Sequence, residues 1–183
     1  MLRRLITAVC AALLLFGCGK DAYIHHEKAD MTGYRFLEDK DHVYETITFE
    51  EAANILENGT GVLYFGRPGC PWCQRIVPVL NEAAKEYRMP VYYADCGQIS
   101  GGEEPKYFER ILEMCNDFLS KGEDGEPLFY IPFVIGVKEG TITDAHEATV
   151  EGFRIEDSDS DLSKEQREEL RGIYETIFRK TVY

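Results

Sequence analysis

A strand, a turn and a helix start follow one another in Val62-Leu63-Tyr64-Phe65-Gly66-Arg67-Pro68-Gly69-Cys70-Pro71-Trp72-Cys73. The first four residues form an apolar run of buried-strand length, and the glycines and proline after them indicate a sharp turn. From Cys73 onward the apolar positions keep a helical period as far as Tyr87. Two cysteines separated by two residues are therefore predicted at the start of a helix, directly after a buried strand.

The two cysteines have different predicted surroundings. Cys70 falls at the N-cap and Pro71 at the first helical position, where a missing N–H costs nothing. Free backbone N–H groups and the positive helix end stabilise a thiolate at Cys70 and lower its pKa. Cys73 lies one turn on in the apolar stripe and should be more buried. We therefore expect Cys70 to attack a disulfide and Cys73 to resolve the mixed disulfide, with Trp72 partly exposed to the substrate.

The rest of the chain alternates strand and helix patterns. Further strands are predicted at 43–48, 91–94, 132–137 and 141–143. Helices are predicted to begin near Phe49, Cys73, Pro105 and Ser163, the first after a capping box at 48–51 and the last at a capping box at 163–166. This order predicts an α/β fold, a mixed sheet with helices on its faces. The 183 residues are enough for one domain, or one domain plus a tether, and 44% hydrophobic residues are enough for a core.

The charge balance excludes one class of partner. Twenty Lys and Arg stand against thirty-three Asp and Glu, a net charge of −13. A surface of that sign repels phosphate backbones, so we expect no nucleic-acid partner. We expect the chain to be a monomer.

The N-terminus has the pattern of a secretory signal. Arg3 and Arg4 precede an apolar run that is too short to span a bilayer comfortably, and the run ends at Leu15-Phe16-Gly17-Cys18. We interpret 1–17 as a lipoprotein-type signal, Cys18 as the lipidated residue, 18–42 as a polar tether or a loosely docked arm, and 43–183 as the domain. Tyr34, Phe36 and Leu37 are the candidates for local docking. Attachment would depend on acyl chains, because anionic lipid repels an acidic chain. An ordinary cleaved signal, or a core strand, is the alternative.

From about Tyr44 to Val182 the chain resembles the thioredoxin family, on Cys70-Pro71-Trp72-Cys73, Pro78 inside the following helix, and Ile131-Pro132 before the last hairpin. The resemblance implies a thioredoxin-like fold with an inserted helix before the strand that follows a cis-proline. It also implies that Ile131 and Pro132 lie opposite the cysteines and bind substrate with Trp72.

Two further residue patterns refine the resemblance. The stretch from Tyr64 to Gly69 and the lipoprotein-type signal that ends at Cys18 are similar to those of bacterial lipoprotein thioredoxins and bacteriocin transport accessory proteins. Tyr64 stands where thioredoxins carry a buried Asp that helps deprotonate the second cysteine. The resemblance therefore leaves open which group accepts the proton of Cys73.

The predicted function is extracytoplasmic thiol–disulfide exchange with exported proteins or peptides through Cys70 and Cys73, at the outer face of a bacterial cell membrane. A redox partner protein would reset the pair, and no organic cofactor or metal is implied. The direction of electron flow stays open. The alternative is a non-catalytic accessory protein for bacteriocin or peptide export. The alternative roles of Cys70 and Cys73 are a structural disulfide, and a zinc site that Cys96 and Cys115 would complete.

Three other groups of residues are weighed. Cys96 and Cys115 form a candidate second disulfide, two buried thiols, or a redox relay with the first pair. The acidic residues from Asp157 to Asp161, with Glu168, imitate a calcium loop, but Leu162 replaces the required glycine and a helix cap follows. His25 and His26 lack further ligands, so we expect solvated side chains.

Overall fold

The structure, a computed structural model, describes residues 25–98 and 104–183. Its strands are β1 (Tyr44–Thr46), β2 (Gly61–Gly66), β3 (Val91–Asp95), β4 (Ser120–Lys121), β5 (Pro127–Leu128), β6 (Phe133–Lys138) and β7 (Thr141–Glu147). Its α-helices are α1 (Phe49–Asn58), α2 (Pro71–Tyr87), α3 (Glu104–Cys115) and α4 (Lys164–Val182). Short 3-10 turns follow β3 and α3, at Cys96–Gln98 and Asn116–Phe118.

The predicted signal and Cys18 lie outside the described residues. Among the helices that are described, none is both long enough and apolar enough to cross a membrane.

Five strands form the central sheet in the order β1-β3-β2-β6-β7. β3 pairs in parallel with both β1 and β2, whereas β6 is antiparallel to β2 and to β7. The mixed sheet confirms the predicted α/β class, and α3 is the predicted inserted helix, since it lies between β3 and β6. β2 is central and buried along its whole length because helices cover both of its faces.

The two faces of the sheet bury two separate apolar clusters. Val62 and Tyr64 of β2 belong to the first cluster, with the inner faces of α2 and α4. Leu63 and Phe65 point the other way, into the second cluster with α1 and α3. The first cluster also contains Cys70 and Cys73, so the cysteine pair is built on that face.

Capping boxes start two of the helices, as predicted. Thr48 exchanges hydrogen bonds with Glu51 at the start of α1, and Ser163 does so with Gln166 at the start of α4. Glu168 is consequently a helical residue and not the last ligand of a calcium loop. Among the residues that the structure describes, no three His, Cys, Asp or Glu side chains are grouped as a metal site.

Residues 25–42, here called the N-terminal segment, differ from the predicted tether. The N–H of Ala29 donates to the carbonyl of Tyr44 on β1 at 3.0 Å, and Met31 and Tyr34 are buried in the first cluster. The domain therefore begins before the predicted boundary. The sequence indicated local docking of Tyr34, Phe36 and Leu37 but not this earlier boundary, because the segment is irregular and its buried residues follow neither the helical nor the strand period.

A small hairpin, β4–β5, was not predicted. Gly125 turns it with a φ of 84°, and the Gly122 N–H donates to the Glu126 carbonyl at 2.9 Å. Its strands have two residues each, which is too short for an alternating pattern to be visible. The hairpin leads the chain directly to Ile131.

Candidate active site

The turn between β2 and α2 places the two cysteines as predicted. Cys70 is the N-cap of α2, Pro71 is the first helical residue, and the Cys73 N–H donates to the Cys70 sulfur at 3.3 Å. Cys70 is 5% exposed and Cys73 is fully buried. An external molecule can therefore reach only the first sulfur of the pair.

The surroundings of Cys70 favour its thiolate. The Cys73 side chain donates a hydrogen bond to it, and the backbone N–H groups of Cys73 and Trp72 add to this effect, which together lower the pKa of Cys70 to about 7 although burial opposes the shift. The charge of Arg67 acts in the same direction. A large fraction of Cys70 is thus ionised near neutral pH.

Cys73 has the opposite character. Burial raises its pKa well above the ordinary thiol value, and the neighbouring Cys70 raises it further. The Tyr64 hydroxyl makes a hydrogen bond that favours the thiolate of Cys73, but burial outweighs it. Cys73 is consequently a neutral thiol in the reduced protein.

The Ile131–Pro132 peptide bond is cis, and it lies opposite the cysteines. The Cys70 thiol donates to the carbonyl oxygen of Ile131 at 3.7 Å, a long contact between sulfur and backbone. The carbonyl of Pro132 accepts from the Ala148 N–H at 2.8 Å, which fixes the loop against the end of β7. The predicted residues Ile131 and Pro132 are therefore brought to Cys70.

Exposed apolar side chains occur near this site. Trp72 is 45% exposed, as predicted, and Tyr130, directly before Ile131, is 52% exposed. Leu128 and Phe118 of the region around the β4–β5 hairpin are also exposed. Sequence reasoning missed Tyr130, although its place beside the proposed cis-proline was a usable signal.

Cys96 and Cys115 are free thiols, so the structure contains no disulfide between them. Burial raises the pKa of each to about 12. The Cys96 thiol donates to the Ala94 carbonyl, and Cys115 packs in the second cluster. Of the weighed alternatives, the structure thus has two free thiols, of which Cys115 is buried and Cys96 is half-buried.

The two histidines of the N-terminal segment are not simply solvated. His25 contacts the Glu45 carboxylate at 2.8 Å, and the His26 backbone N–H donates to the same carboxylate at 2.8 Å. The His26 ring lies 3.5 Å from Glu51. These contacts attach the segment to β1 and α1.

Arg75 on α2 is a functional neighbour that the sequence did not reveal. Its buried guanidinium donates to the carbonyls of Ser158 and Ser160, both at 2.7 Å, and to the Pro71 carbonyl at 2.9 Å. Residues 157–161, here called the acidic loop, are thereby held against the start of α2. A charged residue inside a helical pattern gives no sequence signal for such a role.

Solved structures similar to this chain include a thioredoxin from Aeropyrum pernix, with 24% identity and a TM-score of 0.41, covering 56% of this chain and 73% of that one. Thioredoxins O2 and O1 from Arabidopsis thaliana, both in the oxidised state, have 18% identity and TM-scores of 0.41; they match 60% and 58% of this chain and 85% and 86% of theirs. No protein-family model matches the sequence, and no curated protein does.

The topology itself has the fold features that the resemblance implied. A mixed sheet is flanked by helices, a cysteine pair starts the helix after the central strand, and a cis peptide at Ile131–Pro132 precedes the final hairpin. The chain has an α/β thioredoxin-like fold.

Proposed function

We propose that the protein is a thiol–disulfide oxidoreductase that exchanges disulfides with exported proteins or peptides through Cys70 and Cys73. One observation carries the proposal, namely the asymmetry of the pair. Cys70 reaches the surface and has a pKa lowered to about 7, whereas Cys73 is buried one turn away with a raised pKa. Attack on a substrate disulfide requires an accessible sulfur with a lowered pKa, as in Cys70. Resolution of the mixed disulfide requires a second thiol close to the first and shielded from other reactants, as in Cys73.

The reaction proceeds in two balanced steps. The Cys70 thiolate attacks one sulfur of a substrate disulfide, and the electron pair of the broken bond leaves on the other sulfur, which takes up a proton. Cys73 then loses its proton and attacks the Cys70 sulfur, which releases the second substrate thiolate. The protein is left with a Cys70–Cys73 disulfide that a redox partner protein reduces. The same steps in reverse oxidise a dithiol substrate.

The surface around Cys70 suits an extended peptide. The Ile131 carbonyl lies beside the Cys70 sulfur, so backbone groups of the cis-proline loop are close to any bound disulfide. Trp72 adds exposed aromatic surface beside the cysteines, and Tyr130 adds it beside the cis-proline loop. We propose that substrate backbone pairs with this loop while its side chains contact the two rings.

We further propose that the protein acts at the extracytoplasmic face of a bacterial cell membrane, held by lipid on Cys18. The support is the sequence alone, which has two arginines, a short apolar run and a cysteine in signal order. Metabolic labelling with a fatty-acid analogue tests this. We expect label in the full chain and none in Cys18→Ser, and label retained in Cys18→Ser would contradict the anchor.

The enzymatic proposal is tested by insulin reduction and by oxidation of a dithiol peptide with the full chain. We expect Cys70→Ser to lose all activity and Cys73→Ser to accumulate a mixed disulfide with the substrate. Cys115→Ala, at a buried thiol in the other cluster, is the matched control and should keep its activity. Peptide binding without turnover, unchanged by both serine variants, would instead favour a non-catalytic accessory protein for peptide export.

A further inference from the structure

The resolving cysteine has no direct route to water for its proton. Cys73 lies in the first turn of α2 and is fully buried, and the groups that act most strongly on its pKa are not carboxylates. Its hydrogen-bonding neighbours are Cys70, the backbone of Arg67 and the Tyr64 hydroxyl. Once Cys70 is bonded to substrate it no longer accepts as a thiolate, so the Tyr64 oxygen is the side-chain acceptor left to the Cys73 thiol.

Tyr64 is the first member of a chain of tyrosine hydroxyls. Its oxygen lies 3.2 Å from the hydroxyl of Tyr34, and the Tyr34 hydroxyl donates to that of Tyr93 at 3.1 Å. The Tyr93 hydroxyl in turn makes a hydrogen bond with the Asp95 carboxylate. The two links between hydroxyls are at hydrogen-bonding distance, and the Cys73 sulfur and the Asp95 carboxylate interact with the first and the last hydroxyl of the chain.

Exposure increases along this chain of groups. Tyr64 is fully buried, Tyr34 is 1% exposed and Tyr93 is 4% exposed, whereas Asp95 is only half-buried. Asp95 also accepts the Gly97 N–H at 2.8 Å, which fixes its carboxylate at the end of β3. The chain therefore runs from the protein interior to a group that can exchange protons with water.

Three elements hold the hydroxyls in place. Tyr64 and Tyr93 are register partners on β2 and β3, and their rings stack with centroids 5.3 Å apart. Tyr34 comes from the N-terminal segment and meets the Tyr93 ring edge-on at 5.9 Å. Gly66 leaves the space that the Tyr64 hydroxyl occupies, since a Cβ there would lie 2.1 Å from the Tyr64 oxygen.

We propose that Tyr64, Tyr34 and Tyr93 form a hydroxyl relay that carries the proton of Cys73 to Asp95 when the mixed disulfide is resolved. This inference rests on the proposed function. Tyr64 touches the reacting sulfur and is a catalytic residue in this step. Tyr34 and Tyr93 act through Tyr64 and are positioning residues for its hydroxyl.

The step balances without any further reactant. The Cys73 thiol gives its proton to the Tyr64 oxygen while Tyr64 gives its own to Tyr34, Tyr34 to Tyr93, and Tyr93 to Asp95. The electron pair left on the Cys73 sulfur forms the bond to Cys70, and the pair of the broken bond leaves on the substrate sulfur. Afterwards all three hydroxyl groups point the other way, and Asp95 returns the proton to water.

Other titratable groups face this relay but offer no second path. They are Cys70 from α2, Tyr174 from α4, Tyr44 from β1, and Cys96 directly after β3. The Tyr44 hydroxyl is committed to the Val77 carbonyl at 2.7 Å. The Tyr174 hydroxyl has no hydrogen-bond partner among the described residues. Neither of these hydroxyls leads from Cys73 to solvent.

The test uses the reduced full chain and one equivalent of 5,5′-dithiobis(2-nitrobenzoate) in a stopped-flow instrument. Attack by Cys70 releases the first coloured thiolate, and attack by Cys73 on the adduct releases the second. The first phase reports the proposed nucleophile and the second reports the relay. The variants are Tyr64→Phe, Tyr34→Phe, Tyr93→Phe and Asp95→Asn. The matched control, Tyr44→Phe, removes a buried tyrosine hydroxyl outside the relay.

We expect the second phase to slow by at least about tenfold near neutral pH in each relay variant, because Cys73 must then lose its proton without the relay as general base. In the wild-type protein the second phase should change little as the pH rises from about 7, because the relay and not hydroxide takes the proton of Cys73. In the variants it should rise by about tenfold per pH unit, because hydroxide must then take the proton. Loosened packing would not produce this slope. Tyr44→Phe should behave like the wild type.

The outcomes are distinguishable. A normal first phase with unchanged second phases in all variants would overturn the relay and leave the proposed function intact. Slowing in Tyr64→Phe alone would also overturn it, since Tyr64 would then act on Cys73 without the other two hydroxyls. Absence of the first phase in the wild-type protein would instead contradict the proposed function itself.

Discussion

Cys70 and Cys73 are three residues apart, yet their surroundings move their pKa values in opposite directions. The same hydrogen bond contributes to both shifts, because the Cys73 thiol donates to the Cys70 thiolate. The bond favours the charged form of the acceptor and the neutral form of the donor. One contact thus distinguishes the nucleophile from the resolving thiol.

This coupling predicts the pH dependence of alkylation. The rate of Cys70 with iodoacetamide should reach half its maximum at about pH 7, since only the thiolate reacts. In Cys73→Ala the largest cause of the lowered pKa is lost, so the midpoint should move upward. Mass spectrometry of the labelled peptide measures both rates. A midpoint unaffected by Cys73→Ala would contradict the coupling.

A second prediction concerns the buried hydroxyl of Tyr174, which lacks a hydrogen-bond partner among the described residues. Removing an unpaired polar group from the interior costs no hydrogen bond, so Tyr174→Phe should leave the free energy of unfolding unchanged or raise it by up to about 1 kcal/mol. Urea denaturation measures the difference.

Tyr44→Phe is the matched comparison for Tyr174→Phe, because it removes an equally buried hydroxyl that does donate a bond, to the Val77 carbonyl at 2.7 Å. We expect it to lower the free energy of unfolding by about 1 kcal/mol or more. Equal effects of the two changes would contradict the assignment of Tyr174 as unpaired.

At the scale of elements, the start of α2 is held from outside the helix. Arg75 connects the acidic loop to the first turn of α2, and its guanidinium lies 4.4 Å from the centre of the Phe36 ring of the N-terminal segment. One side chain therefore contacts three parts of the chain that are distant in sequence. Burial lowers the pKa of Arg75, and the negative charge of the acidic loop acts in the opposite direction as a smaller effect.

Arg75→Met should therefore destabilise the fold. The substitution keeps the apolar stem but leaves the Ser158 and Ser160 carbonyls without their charged donor, which should cost about 2–3 kcal/mol of unfolding free energy. Urea denaturation and amide hydrogen exchange in the acidic loop measure the effect. Arg179→Met, at an exposed position of α4, is the matched control and should change stability little. Equal losses in the two variants would contradict this role.

At the scale of the whole molecule, the N-terminal segment is a part of the domain. It supplies Ala29, Met31 and Tyr34 to the first cluster, and its backbone bonds to β1. The Gln74 side chain on α2 also bonds to it, through the backbone of Gly33 and Arg35. The sheet edge and the helix that carries the cysteines are thus covered by the same segment.

A truncation tests this boundary. A chain that begins at Val43 should unfold at a much lower urea concentration than one that begins at His25, because it exposes Tyr64 and Tyr93 and loses the apolar contacts of the segment. The chain that begins at His25 retains all described contacts and is the control. Equal midpoints would show that residues 25–42 add nothing to stability.

How much was predictable from the sequence depended on periodicity. The β2–α2 junction and both capping boxes were predicted because each has a local signature in neighbouring residues. Local docking of Tyr34 was predicted, but its partners were not, since they lie on other strands and its own segment is irregular. The role of Arg75 was hidden for a similar reason, because its acceptors are backbone carbonyls that leave no trace in residue identity.

The cysteines themselves were predicted with their correct places, but the nature of their neighbours was not. Tyr64 was recognised only as an unusual residue for its position. Its connection to Tyr34 and Tyr93 depends on strand register and on the docked segment, both of which are properties of the folded chain. Contacts between residues that are far apart in the sequence could therefore not be predicted.

The long span of these contacts has a consequence for biosynthesis. Ile131 leaves the ribosome 61 residues after Cys70, and Tyr93 follows Tyr34 by 59 residues. Until both arrive, a nascent chain has no carbonyl facing Cys70 and no completed tyrosine cluster. The surroundings of the pair are therefore completed late, when most of the polypeptide has been made, and an interrupted translation product would carry the cysteines in an unfinished site.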